Sequence, residues 1–226
     1  LPSYSRFNRR LNRLGEALRM LVSQQMKENL WIKLMDLTLL QTAVDSMPVM
    51  LARGQRAKHA RVALEVADYS LCKAKRQWFY GMKLHFLGVL HQGSLPIPAD
   101  FRLSSASDSD NTIFKDFMAP YYRNITVFAD KIYDDRPNVQ CLSEHQQVTL
   151  LTGQRRRAYQ QYLFADQQIL NQYVSRKRQP IESFFNWLIE NAQIQIASKV
   201  RSLEGLMVFI YGRLAAALIK LNPDFN

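Results

Sequence analysis

Residues 125–130 read Ile-Thr-Val-Phe-Ala-Asp, an uncharged run that stops abruptly on an acid. A strand this apolar does not alternate between a wet and a dry face. It belongs in a sheet covered on both sides, as parallel strands usually are. A longer apolar stretch, Trp31 to Val49, has few helix breakers and stops at Ser46-Met47-Pro48, just after Asp45. It predicts one or two buried strands. Trp78 to His91 follows as a strand offering Phe79, Met82, Leu84 and Phe86. A turn region at Gly93, Pro96 and Pro98 comes next, and Val148 to Leu151 is a further short strand.

Helical spacing governs the two ends of the chain. Over residues 4–29, Phe7, Leu11, Leu14, Leu18 and Leu21 recur every three or four positions, with Arg6, Arg9, Arg10 and Arg13 on the remaining surface. Asp108 or Asp110 is placed to cap a helix carrying Ile113, Phe114, Phe117 and Met118. Ala158 to about Ile196 reads as helix, broken or kinked at Pro180. A last helix covers Leu203 to Leu221. Its apolar run, Leu206 to Leu221, is interrupted by Arg213 and carries Lys220. That is too short and too charged to span a bilayer, and it reads as a buried helix. Strands in the first two thirds and helices in the last third give a mixed α/β layout, strands covered by helices. A length of 226 residues suits one good-sized domain, with or without a small appendage.

Thirty Lys and Arg against nineteen Asp and Glu leave a formal charge of +11, which favours a polyanionic partner. The basic residues cluster. Arg53, Arg56, Lys58 and Arg61, then Lys73, Lys75 and Arg76, lie in a polar excursion at 51–77. Arg155, Arg156 and Arg157 form a second group, and Arg176, Lys177 and Arg178 a third. Two cysteines, Cys72 and Cys141, without a CxxC, and four scattered histidines offer no zinc-ligand spacing. A disulfide is possible but not required. The first residues, LPSYSRFNRR, have no apolar signal-peptide core and no initiator Met, so a fragment or processed chain is expected, with the cytosol as its compartment.

Three acids stand out by their neighbours. Asp45 closes an apolar run, where a carboxylate needs a compensating metal ion or arginine unless it only caps a turn. Asp130 repeats the arrangement after Ile125 to Ala129, at the carboxyl end of a strand, where functional groups gather in α/β sheets; the following Asp134 and Asp135 also fit a solvated loop. Glu182 sits on a helix at the edge of the face formed by Ile181, Phe184, Phe185 and Leu188. Arg178, four residues earlier, offers it an ion pair as the alternative to a functional role. Together the three suit a carboxylate cluster for two hard cations and phosphodiester displacement, with no Ser or Cys nucleophile.

The strings Val44-Asp45-Ser46-Met47-Pro48, Phe79 to His85, Ala129-Asp130-Lys131-Ile132-Tyr133 and Arg178 to Phe185, with the tail Arg201 to Leu206, resemble the DDE domain of bacterial insertion-sequence transposases over about Ser3 to Leu221. The resemblance implies an RNase H-like mixed sheet flanked by helices, with a helical segment at 1–29 and the catalytic domain at 30–226. It implies Asp45 on the first core strand, Asp130 just after the fourth and Glu182 on a late helix, together holding two Mg²⁺ or Mn²⁺ ions. It implies cleavage and strand transfer of double-stranded DNA at element ends, in an assembly of two or more subunits on the nucleoid, with no membrane. Phosphate contacts then fall to the basic groups named above and to Lys83 and Lys131. Ser175 and Ile189 stand where some relatives carry Tyr and Lys, and Ile132 where Gly is frequent. A DNA-binding remnant without chemistry and a cellular RNase H-like nuclease are the other two readings. Trp78 and Trp187 are expected in the core rather than as stacking partners for bases.

Overall fold

The computed structural model describes residues 3–34, 40–73, 75–118, 122–156 and 158–221. Within them the chain builds a six-stranded sheet ordered β2-β3-β1-β5-β6, with β4 paired to β3 beside β2. The strands are β1 (Leu40–Arg53), β2 (Asp68–Cys72), β3 (Gln77–Val89), β4 (Ile97–Ser105), β5 (Ile125–Ala129) and β6 (Thr149–Thr152). Strands β1, β5 and β6 run parallel, whereas β2, β3 and β4 are joined by antiparallel pairings. The helices are α1 (Tyr4–Asn12), α2 (Gly15–Leu34), α3 (Asp110–Met118), α4 (Arg136–Gln146), α5 (Ala165–Ala192) and α6 (Leu203–Leu221). This is the expected α/β architecture, an RNase H-like mixed sheet between helices.

Alternation along β1 explains the two cores. Ala43, Met47, Val49 and Leu51 face one side, where Phe86, Ile181, Phe184, Leu206 and Ile210 complete a core beneath α2, α5 and α6. Val44 faces the other side and joins Leu87, Phe114, Val127 and Tyr133. Phe86 anchors the larger core. Its ring stacks on Phe184 at 4.3 Å between centroids and meets Phe101 at 5.0 Å.

Several expectations change. The helix predicted over 4–29 is two, α1 and α2, separated by a turn, and α2 continues to Leu34, so the predicted strand at Trp31 begins only at Leu40. The part of that expectation at 35–39 lies outside the described residues. Nor does β1 stop at Pro48. Its β5 side has a strand partner only as far as Ala43 and is next engaged at Met50, whose N–H donates to Gln195. Pro48, two residues before Met50, turns its missing N–H to that same unpaired side, where a proline is tolerated.

The turn read at Gly93 and Pro96 is present, and β4 begins directly after it, with Pro98 inside the strand. The strand lies at an edge, and Pro98 falls at its bulge opposite Gly88. The helix expected from Ala158 begins at Ala165 and runs unbroken through Pro180. Helix α4 has no counterpart in the sequence reading; Pro137 in its first turn was its signal. Neither Asp108 nor Asp110 serves as the expected cap of α3. The Asp108 carboxylate accepts from Ser105 N–H, and Asp110 is engaged by Lys83 and Ser46. Trp187 packs against the core as expected, but Trp78 is half exposed and stacks on Tyr69 at 4.7 Å. Cys72 and Cys141 are both free thiols.

Candidate active site

Parallel register brings the two aspartates together. Ala43 pairs with Phe128, so two residues farther along, Asp45 on β1 meets Asp130 just past the end of β5. Asp130 follows the fifth strand in chain order because the short β2 adds one before it. Asp45 lies between Ala43 and Met47 on the face covered by α5. Its Oδ1 accepts the Ser46 N–H at 2.8 Å, and Asp130 Oδ1 accepts the Lys131 N–H at 2.7 Å. Each carboxylate is therefore fixed by its own backbone.

Arg178 joins them. From α5 its guanidinium donates to Asp45 Oδ2 at 3.0 Å and lies 3.8 Å from Asp130 Oδ1. The arginine that was weighed as the partner of Glu182 is thus the compensating charge for Asp45. Asp45 is largely buried, and desolvation pushes its carboxyl up to about 6, against the opposing pull of Arg178 and the Ser46 N–H; the charge of Asp130 pushes the same way as burial. Glu182 is exposed on α5, four residues beyond Arg178 and so about 6 Å farther along the helix axis. Among the described residues no three His, Cys, Asp or Glu gather closely enough to hold a metal ion. The donor chemistry of the aspartate pair nevertheless fits a hard cation: two carboxylates converge on one positive group.

Beneath the pair lies Tyr133, which the sequence reading quoted only as part of a motif. It is fully buried against Phe114, and its hydroxyl has no hydrogen-bond partner among the described residues. Burial, then the charges of Asp110, Asp45 and Asp130, hold its ionisation well above the usual tyrosine range. A second polar group sits on the α3 side of the sheet. Ser46 donates to Asp110 at 3.1 Å and Lys83 donates to Asp110 at 2.9 Å. Nearby, buried His85 bonds Ser104 at 2.8 Å through Nε2, while its Nδ1 has no partner among the described residues. Desolvation lowers the imidazole to about 4.

The basic residues fall into two zones. Lys131, Arg155, Lys177 and Arg178 border the aspartates: Arg155 donates to the Lys131 carbonyl at 3.1 Å, and Lys177 donates to Gln41 at 2.7 Å; Arg176 is exposed, two residues from Arg178 and so on another face of α5. Arg156 donates to Gln161 in the same loop, and Arg157 lies outside the described residues. Arg53, Arg56, Lys58, Arg61, Lys73, Lys75 and Arg76 are exposed at the opposite end of β1 and β3. Eight strand residues separate Asp45 from Arg53, about 26 Å. Lys83 belongs to neither zone, its charge being held by Asp110.

Compared with known proteins, residues 38–219 match the family described as Transposase DDE domain. No curated protein and no solved structure matches the chain.

Proposed function

The chain belongs to the transposase DDE-domain family, and on that footing we propose that it cuts and joins DNA at the ends of an insertion sequence, with Asp45, Asp130 and Glu182 as its catalytic carboxylates. A transposase-type, polynucleotidyl-transferase or nuclease function follows from the family itself. The observation that carries the finer reading is the convergence of Asp45 and Asp130 on one cationic group, with Glu182 one turn farther along the same helix.

Asp45 and Asp130 would hold Mg²⁺ or Mn²⁺ between them, and Glu182 would complete the ligand set by swinging back along α5. Two such ions, when bound, supply the charge that activates the attacking oxygen and stabilises the departing one. The reaction needs no covalent enzyme intermediate. A water oxygen attacks the phosphorus, the P–O3′ bond breaks, and the products are a 3′-hydroxyl and a 5′-phosphate. In the joining step that 3′-hydroxyl attacks a target phosphodiester and displaces the target's own 3′-oxygen. Arg178, once the carboxylates take a stronger cation, stays within reach of the non-bridging phosphate oxygens. The basic zones contact the phosphates of element and target DNA, in an assembly of two or more subunits on the bacterial nucleoid.

The test is strand cleavage and joining on DNA carrying the element's own flanks, in Mg²⁺ and in Mn²⁺. Activity lost in Asp45→Asn, Asp130→Asn and Glu182→Gln supports the reading, and cleavage unchanged in Glu182→Gln refutes it. The engaged Arg178, with Ser175 and Ile189 in place of Tyr and Lys, favours a second reading, a DNA-binding remnant without chemistry. It predicts salt-sensitive DNA binding with no cleavage in either metal.

A further inference from the structure

The strand pairing that brings Asp45 and Asp130 together stops before it reaches them. The β1–β5 register ends at Ala43 and Phe128, so both acids lie beyond the last paired residues on their shared side. Ladder bonds fix the separation of parallel strands only where they are made. The spacing of the two carboxylates therefore depends on what packs against the strand ends.

Helix α3 engages both ends. Its first residue, Asp110, accepts the Ser46 hydroxyl at 3.1 Å, and Ser46 is the residue whose N–H donates to Asp45. Its second, Asn111, donates to the Asp135 carboxylate at 3.2 Å, and Lys115, one turn on, pairs with the same oxygen at 2.9 Å. Asp135 is tied back to Asp130 by two backbone bonds in series. Its N–H donates to the Tyr133 carbonyl and the Tyr133 N–H donates to the Asp130 carbonyl, each at 3.0 Å. Phe114 adds an edge-on contact to the Tyr133 ring at 5.4 Å. Residues 110, 111, 114 and 115 fall on one side of a helix, so one rigid element holds both strand ends.

Alternation along β1 carries the Ser46 bond to Asp45. Adjacent strand residues point to opposite faces, Asp45 toward α5 and Ser46 toward α3. Pinning the Ser46 hydroxyl fixes the peptide plane between them, and with it the N–H on which Asp45 Oδ1 rests. The arrangement draws charge out of water. The Asp110 side chain is 15% exposed, and Lys83, 20% exposed, compensates it at 2.9 Å while donating to the Asp108 carbonyl at 2.7 Å. Apolar residues in place of such a pair are often neutral or stabilising. Groups that orient a metal's ligands, by contrast, strengthen metal binding.

We propose that α3 is the brace that sets the spacing of Asp45 and Asp130, with Ser46, Asp110 and Asn111 as positioning residues for the two carboxylates. Its purpose rests on the metal-dependent reading of the site, but the brace itself is tested without metal.

Two measurements test it. In EDTA, amide hydrogen exchange is followed by NMR at Ser46 and Lys131, whose N–H groups donate to the two carboxylates. Asp110→Ala should speed exchange at Ser46 about fivefold or more, and Asn111→Ala with Lys115→Met should do the same at Lys131, while the amides of α6 exchange as in the parent. Mn²⁺ is then titrated into parent and variants, with the electron paramagnetic resonance of the free ion as signal. Ser46→Ala, which removes only the hydroxyl, should weaken Mn²⁺ binding about tenfold. Ser46→Thr, which restores a hydroxyl, should bind within twofold of the parent. Thr112→Gly, on the exposed side of α3, loosens the helix without touching either bond and should leave the affinity unchanged. Exchange within twofold of the parent at both amides overturns the brace. So does Mn²⁺ affinity within twofold of the parent in Ser46→Ala, or an equal loss in Thr112→Gly, which would make the effect one of helix stability. A parent that binds no Mn²⁺ yet shows the exchange response retires the metal-dependent reading and leaves the brace standing.

Discussion

Replacing Asp45 by Asn should stabilise the metal-free protein at neutral pH while removing its chemistry. The ordinary aspartate value is about 3.9, and burial raises Asp45 to about 6. Folding therefore holds a proton on this carboxyl that the unfolded chain releases. Between pH of about 4 and 6 the wild-type protein loses stability from this group as pH rises, and above 6 the loss is complete. A rise of about 2 units corresponds to about 3 kcal/mol at 1.36 kcal/mol per unit. The side chain is 23% exposed, which tempers the figure to about 1–3 kcal/mol. Asn mimics the protonated carboxyl in shape and lacks the charge. Urea unfolding of both proteins in EDTA from pH 4 to 8, followed by tryptophan fluorescence, should give curves that coincide near pH 4 and separate by that amount at pH 8, the variant being the more stable. A variant no more stable than the parent at pH 8, or a difference that does not change with pH, refutes the argument that burial outweighs Arg178 at this carboxylate.

His85 works in the opposite sense over nearly the same range: lowered to about 4, it gives up on folding a proton that the unfolded chain keeps, so its contribution is present above about 6.5 and lost as pH falls toward 4. Its replacement by Gln should flatten the acid limb of the stability curve, read in the same unfolding series; an unchanged limb counts against a neutral buried imidazole. Glu182→Gln should change stability by less than about 0.5 kcal/mol, because the residue is exposed, and still abolish cleavage, so that the two assays separate. Gly81→Ala should cost more than about 3 kcal/mol, since a Cβ there would overlap the Val49 carbonyl of β1; a thermal midpoint near wild type would refute the close approach.

The site was legible in the sequence only where a run of like residues met a charge. Ile125–Ala129 and Asp130 were readable because a strand buried on both faces leaves no alternation, and the first acid after it marks the end. The end of β1 was misread because Pro48 is a breaker only when its N–H is needed, and the sheet leaves that side of the strand unpaired. Strand β4 was hidden by Pro98, Asp100 and Arg102, residues an edge strand admits. The partner of Arg178 was left open for a different reason. Helical spacing offers Glu182 at four residues, but Asp45 is 133 positions away in sequence and becomes a neighbour only through the register of β1 on β5 and the packing of α5.

That long-range pair also explains why the site tolerates its own charges. Two carboxylates on adjacent strand ends repel each other, and burial makes ionised Asp45 costly. Arg178 answers both difficulties with one side chain, whereas Glu182, on the same helix, stays in solvent. Among the described residues the arrangement leaves a raised Asp45, an arginine Nε buried without a partner and an unpartnered Tyr133 hydroxyl below. Each of these departs from what a purely structural ion pair would settle into, since buried polar atoms ordinarily find partners. A cation of higher charge would favour ionised Asp45 more strongly than a single guanidinium does, and would release Arg178 toward an incoming phosphate. On the proposed reading, the same residues that make the resting protein less stable than it could be are the ones that would gain from metal and DNA, so Asp45→Asn is expected to raise stability and remove activity together.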